Sequence, residues 1–254
     1  MKPFLRYLPP ISYFQATRLN RLSLVAYNGL VEWIPAIAIS LYLNDSKIGT
    51  LFTVLVSYLA FISLYEIGYI TNDQLSEKFE EDPRGRSSEL GMSVTTVIGL
   101  IVVRAIVFGL CSYVLGVALH PLWIAFHGGL IATFLLHNVV EREMRIATFF
   151  SLSTFRFIAP VLLTVPPAVL LMLLPIVMLN NSLYRLTVYV DNKKLSKRSS
   201  LNSKFLFYLA CLPMGVVFCV LSGSVLPLAV SFYFILVWSL YWVISRAVGV
   251  DLRG

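Results

Sequence analysis

The sequence predicts an all-α fold class, a polytopic transmembrane helical bundle of about eight spans, and three observations carry that prediction. Hydrophobic residues make up 58% of the 254-residue chain while charged residues make up only 13%. Mean hydropathy is +0.81, far from the balance of a soluble domain. The apolar residues fall in successive runs, each near the roughly 20 residues a helix needs to cross a hydrocarbon core of about 30 Å. One transmembrane domain covering residues 1–254 is the economical division.

The expected spans lie near 22–43, 49–71, 92–117, 121–140, 147–164, 167–184, 205–221 and 225–245, with Pro and Gly at several boundaries. Pro160, Pro166, Pro167 and Pro175 crowd the fifth and sixth. Proline inside a span is tolerated where neighbours re-satisfy the freed backbone groups, so one kinked hairpin is expected there. Ahead of the first span, Lys2 and Arg6 precede an apolar run that begins only after Arg18 and Arg21. With no A-x-A-like site near its end, this segment does not read as a cleaved signal peptide. Cys111, Cys211 and Cys219 fall within spans and read as packing residues.

Orientation follows from the basic residues. Of the 20 Lys and Arg, 17 fall before the first span or after the even-numbered ones, against Lys47 alone on the opposite side. Both termini are therefore expected in the cytoplasm. The net charge of +7 is accounted for by topology and by attraction of membrane lipids with anionic head groups, about 1 kcal/mol per surface-proximal basic residue. No nucleic acid partner is needed. The halves show no obvious inverted symmetry and no repeat of 20–50 residues is visible, which weakens a transporter reading.

Chemistry concentrates in YEIGYITNDQLSEKFEEDPRGR, Tyr65 to Arg86. Six of the chain's 13 acids stand there: Glu66, Asp73, Glu77, Glu80, Glu81 and Asp82. If the second span continues as helix for about two more turns, Glu66, Asp73, Glu77 and Glu80 share one face, with Tyr69, Asn72 and Ser76 beside them. Like carboxylates at this spacing repel by a few tenths of a kcal/mol per pair. A hard cation reverses that sign, and magnesium is usually held by one or two carboxylates with water and substrate phosphates in its other positions. Asp73, Glu77 and Glu80 are the candidate metal ligands and catalytic groups, with Asn72 assisting. Pro83 is expected to end the helix, so that Arg84 and Arg86 can return toward the cavity and match phosphate oxygens bidentately. The alternative is a solvated loop in which Lys78, Arg84 and Arg86 offset the acids.

The run N-D-x-x-S-E-x-x-E-E-D-P-R-G-R, Asn72 to Arg86, at the cytoplasmic end of the second span, resembles the first aspartate-rich motif of the UbiA superfamily of intramembrane prenyltransferases, N-D-x-x-D-x-x-x-D followed by a basic run. Asn72 and Asp73 match; Ser76 replaces the second aspartate with Glu77 next to it, and Glu80 replaces the third. The resemblance implies a second acidic motif after the sixth span. The stretch there, Asn180 to Ser200, holds Asp191 as its only acid, followed by Lys193, Lys194, Lys197 and Arg198. Asp191, Lys193 and Lys194 are candidate substrate-binding residues, although lipid head groups and topology also explain a juxtamembrane basic run. The loop holding Glu141, Arg142, Glu143 and Arg145 is similar to one in the same family and equally suits a cytoplasmic anchor.

Glu32, Arg104 and Arg156 lie within spans. A charge near the bilayer centre costs at least ~2.5–3.5 kcal/mol, so each should face the bundle interior, a wet cavity or a partner; an internal pair of Glu32 with Arg104 is one arrangement. His120, His127 and His137 have no carboxylate or cysteine nearby to complete a metal set and read as packing or interfacial residues. Nucleotide-binding, zinc-protease and serine-hydrolase motifs do not occur.

The resemblance implies transfer of a prenyl or polyprenyl group from a diphosphate donor to an acceptor, with Mg2+ and a cytoplasmic-side cavity. Ionisation of the donor leaves a diphosphate to be stabilised and a carbocation to be kept dry. Tyr65, Tyr69, Trp123 and Tyr184 are candidates to shield the cation. The alternative is a non-catalytic UbiA-like protein that binds a polyprenyl-phosphate lipid or serves as a scaffold or transporter component.

Overall fold

The computed structural model describes residues 6–18, 22–79, 92–141, 144–183, 185–186, 189–190 and 202–248. Among these every regular element is helical. Helix α1 is Ser12–Arg18. The first long apolar run forms α2, Leu22–Asn28, which passes through a π-helical turn at Gly29–Trp33 into α3, Ile34–Leu43. There follow α4, Lys47–Phe79; α5, Val94–Val114; α6, Pro121–Val139; and α7, Arg145–Ile158. The proline-rich stretch forms α8, Pro167–Val177, running into a second π-helical turn at Met178–Leu183. The chain closes with α9, Asn202–Ser222, and α10, Leu226–Val248.

Among the described residues four segments are long and apolar enough to cross a membrane: Val25–Leu43, Lys47–Gln74, Val94–Val114 and Pro121–Val139. The described residues also include the shorter apolar stretches Pro167–Leu183, Leu209–Ser222 and Leu226–Leu240, the last two lying within the longer helices α9 and α10. The helix boundaries follow the hydropathy runs within a few residues, because Pro121 and Pro167 sit in the first turns of α6 and α8, where the missing N–H costs nothing. In the expected fifth span the helix ends sooner. It stops at Ile158 and gives way to a single 3-10 turn, Ala159–Val161, because Pro160 cannot donate to an α-helical ladder.

The exposed side of α5 carries Ile98, Val102, Ile106 and Leu110 at i, i+4 spacing, while Leu100, Arg104 and Cys111 are buried. A helix that turns isoleucine and valine outward and an arginine inward is built for an apolar surround. Helix α4 packs on α5, α6 and α3, and α9 pairs with α10. One core gathers Phe61, Tyr65, Leu130, Phe134 and Leu152 from α4, α6 and α7; a second joins Val31, Phe157, Ile176, Phe234 and Trp238.

The α4–α6 crossing depends on Gly68. A Cβ there would lie 2.5 Å from Phe134 ring carbons, and small residues are what let helices approach this closely in an apolar medium. Gly68→Ala is expected to cost about 1–3 kcal/mol by overpacking, read as a lower unfolding midpoint of the solubilised protein. A midpoint equal to the parent's would mean that Phe134 moves aside freely.

Candidate functional site

At 33 residues, α4 is about 50 Å long, well beyond a hydrocarbon thickness of about 30 Å. From Asn72 the helix turns polar, with Asp73, Gln74, Ser76, Glu77 and Lys78 in its last turns. The excess length carries Asn72, Asp73 and Glu77 to the polar end of the helix, as the spacing predicts. Asn72 is half-buried and Asp73 is only 4% exposed. The backbone of Glu77 lies in the last turns of α4, but its side chain is outside the described residues, as are Glu80, Arg84, Arg86, Asp191, Lys193 and Lys194 in full.

Asp73 meets the segment that precedes α2. The Tyr13 hydroxyl donates to Asp73 Oδ2 at 2.7 Å. Beside it the Phe14 ring stacks on Tyr69 at 5.7 Å between centroids and meets Tyr65 edge-on. Tyr65 in turn packs edge-on against Phe134. Tyr65 and Tyr69, picked out as rings near the ladder, therefore form a continuous aromatic wall with Phe14 and Phe134. Trp123 is no part of it. It stands eleven residues before Phe134 on α6, about 16 Å along the axis, where it stacks on Phe108 and donates its indole N–H to Ser112. Tyr184 lies outside the described residues.

Glu66 does not belong to a cation ladder. Its Oε2 accepts from Arg104 Nε at 2.7 Å, with both side chains fully buried. Its Oε2 and Oε1 also accept from the backbone N–H groups of Ile11 and Phe14, at 3.1 and 2.7 Å. The guanidinium also donates to the carbonyls of Tyr7, Leu8 and Pro9. Each nitrogen of the guanidinium and both carboxylate oxygens are thus hydrogen-bonded, the condition under which a buried charge pair is tolerable. Ile11 has φ 74°, a left-handed conformation that a β-branched residue adopts only under constraint. Its N–H is held by Glu66, so the pair and the strained turn fix each other.

The second intramembrane acid pairs differently from the expected Glu32–Arg104. Glu32 Oε2 accepts from Arg156 Nε at 2.7 Å, across 124 residues of sequence. Arg156 also donates to Asn28 Oδ1 at 2.5 Å, and Arg185 reaches the same oxygen at 3.0 Å. The Arg156 guanidinium lies 4.7 Å over the Phe14 ring, a cation–π distance. A single line of contacts therefore runs Asp73, Tyr13, Phe14, Arg156, Glu32.

Arg145 opens α7, its backbone N–H donating to the Glu141 carbonyl and its Nε to the Val140 carbonyl. His127 is buried beside Trp123, Phe108 and Phe126, with Nδ1 on the Trp123 carbonyl, and His137 Nδ1 meets Thr148; both act in packing. Among the described residues no three His, Cys, Asp or Glu converge on a point that could hold a metal ion. A magnesium set built on Asp73 would have to draw on Glu77 and Glu80, which lie outside the described side chains.

Sequence reasoning passed over Tyr13, Phe14 and Asn28. A signal for the first two exists in hindsight: Tyr7, Tyr13 and Phe14 are large aromatics in a segment otherwise assigned only to orientation. The class these features define is a protein helical throughout its described residues, with four helices among them long and apolar enough to cross a membrane and a polar cluster at one end of the longest. Comparison with protein-family models, with curated proteins and with solved structures finds no match for this chain.

Proposed function

We propose that the protein is a UbiA-like membrane prenyltransferase whose helices form one bundle of about eight spans with both termini in the cytoplasm. The observation that carries this reading is the placement of Asn72 and Asp73 at the polar end of an over-long α4, directly above the wall of Tyr65, Tyr69 and Phe134. A prenyl diphosphate presents the same two demands in the same order: an anionic head to be stabilised and an allylic chain to be kept dry. Asp73, Glu77 and Glu80, with Asn72 assisting, would hold Mg2+, which supplies charge neutralisation for the departing diphosphate. Arg84, Arg86 and, from the loop after the sixth span, Lys193 and Lys194 beside Asp191 would grip its oxygens. The tyrosines and Phe134 would line the path of the chain and face the developing cation.

The test is diphosphate release from labelled prenyl diphosphates by the purified protein in the presence of magnesium. Asp73→Ala is expected to lower turnover by about a hundredfold or more. Turnover that survives the substitution removes Asp73 from the proposal.

A second reading is a protein that binds a polyprenyl-phosphate lipid without transferring it. Two observations favour it: the Tyr13 hydroxyl on Asp73, and Asp191 as the only acid between Asn180 and Ser200. Tight binding of a polyprenyl phosphate with no turnover of any donor would select this reading.

A further inference from the structure

Away from the Asp73 end, a cavity of about 50 Å³ opens between the π-helical turn of the first long apolar segment and helices α7, α8 and α10. Its lining is aliphatic and aromatic, with Val31, Phe157, Leu173 and Phe234 among its walls. Two polar side chains break that lining, Glu32 and Asn181. Each stands in one of the two π-helical turns of the described chain, Gly29–Trp33 and Met178–Leu183. Such turns widen a helix by one residue and recur at functional positions.

Both groups hold unmet hydrogen-bonding capacity. Asn181 is 0% exposed, and neither its Oδ1 nor its Nδ2 meets a partner among the described residues. Glu32 gives Oε2 to Arg156, while Oε1 makes no hydrogen bond; Tyr58 stands close to this carboxylate without ordinary hydrogen-bond geometry. An amide with neither atom satisfied inside an apolar pocket is costly. It is expected where something else completes it.

We infer that this cavity is a binding site for an uncharged, hydroxyl-headed amphiphile whose head lies between Glu32 and Asn181 and whose apolar portion lies along the Val, Leu and Phe walls. The complement follows from the donors and acceptors present. Glu32 Oε1 and Asn181 Oδ1 each accept and Asn181 Nδ2 donates; a hydroxyl gives its one hydrogen to one of the two oxygens and takes the Asn181 N–H on a lone pair. An anionic head would meet the Glu32 carboxylate. A cationic head would find that charge already neutralised by Arg156. The volume exceeds the ~10–15 Å³ that one water occupies, leaving room for the head and its first carbons. The inference does not depend on what the Asp73 end binds.

The experiment uses the full chain in lipid nanodiscs and three diazirine-bearing probes of one chain length: an octanol, an octane and an octanoate. Adducts are mapped by mass spectrometry. The octanol probe is expected to label peptides of α8 and α10, to be displaced by excess 1-octanol, and to label Asn181→Leu about tenfold less, the ratio for one lost hydrogen bond. Asn181→Leu should unfold at the parent's midpoint or above it, since an unsatisfied amide has been replaced by an alkyl group. The inference is overturned if the octane probe labels as well as the octanol, if Asn181→Leu keeps full labelling, or if no probe reaches these peptides, which would leave the cavity to water alone.

Discussion

Arg104→Met is expected to destabilise the protein by about 3–5 kcal/mol, the range for removing one partner of a buried ion pair. The cost arises less from the lost bond than from what remains. Glu66 would keep a carboxylate at full burial, and the carbonyls of Tyr7, Leu8 and Pro9 would lose their donor. Simultaneous Glu66→Leu removes the stranded charge, so the double variant should recover part of the loss. The effect also has an address. Ile11 and Phe14 donate their backbone N–H groups to Glu66, so hydrogen exchange in residues 7–14 should accelerate in both variants. An unchanged unfolding midpoint in Arg104→Met, or unchanged exchange in that segment, would contradict the role given to this pair.

Arg156→Met is expected to have an effect of the same size, about 3–5 kcal/mol, and a wider reach. Arg156 bonds Glu32 and Asn28 on the first long apolar segment and covers the ring of Phe14. Its loss would strand Glu32 and loosen the contact between α7 and the N-terminal segment. Lysine keeps the charge but not the planar fork that serves Glu32 and Asn28 together, so Arg156→Lys should recover only a minor share. Thermal unfolding of the solubilised protein separates the cases: parent highest, Lys intermediate, Met lowest. Equal midpoints for Lys and Arg would mean that charge alone matters here.

These two pairs mark where sequence reading stops. That Glu32, Arg104 and Arg156 needed interior partners followed from their position in apolar runs, because an unpaired charge there is costly. Which partner each takes did not follow. Glu66 looked like the first rung of an acidic ladder because helical periodicity places it on the face of Asp73. Its pairing with Arg104 depends on α5 lying beside α4 with that face turned inward. Glu32 and Arg156 are 124 residues apart, and no local pattern links them. Likewise the aromatic wall could be guessed as far as Tyr65 and Tyr69, which share α4, but Phe14 and Phe134 reach it from other elements.

By itself the sequence determined the helical segmentation and the apolar character of the helices, since hydropathy over roughly 20 residues and the positions of Pro are local quantities. It also determined that α4 would carry Asn72 and Asp73 past its apolar portion, because the acids begin in register with a helix already under way. Only the tertiary structure decided the ion-pair partners, the docking of Tyr13 and Phe14 beside Asp73, and the meeting of Glu32 with Asn181 in one cavity. These are contacts between elements distant in the chain. They are set by how each helix is rotated about its axis and by which neighbour it meets, and a charge or amide in an apolar medium accepts only the few arrangements in which its partners are already in place.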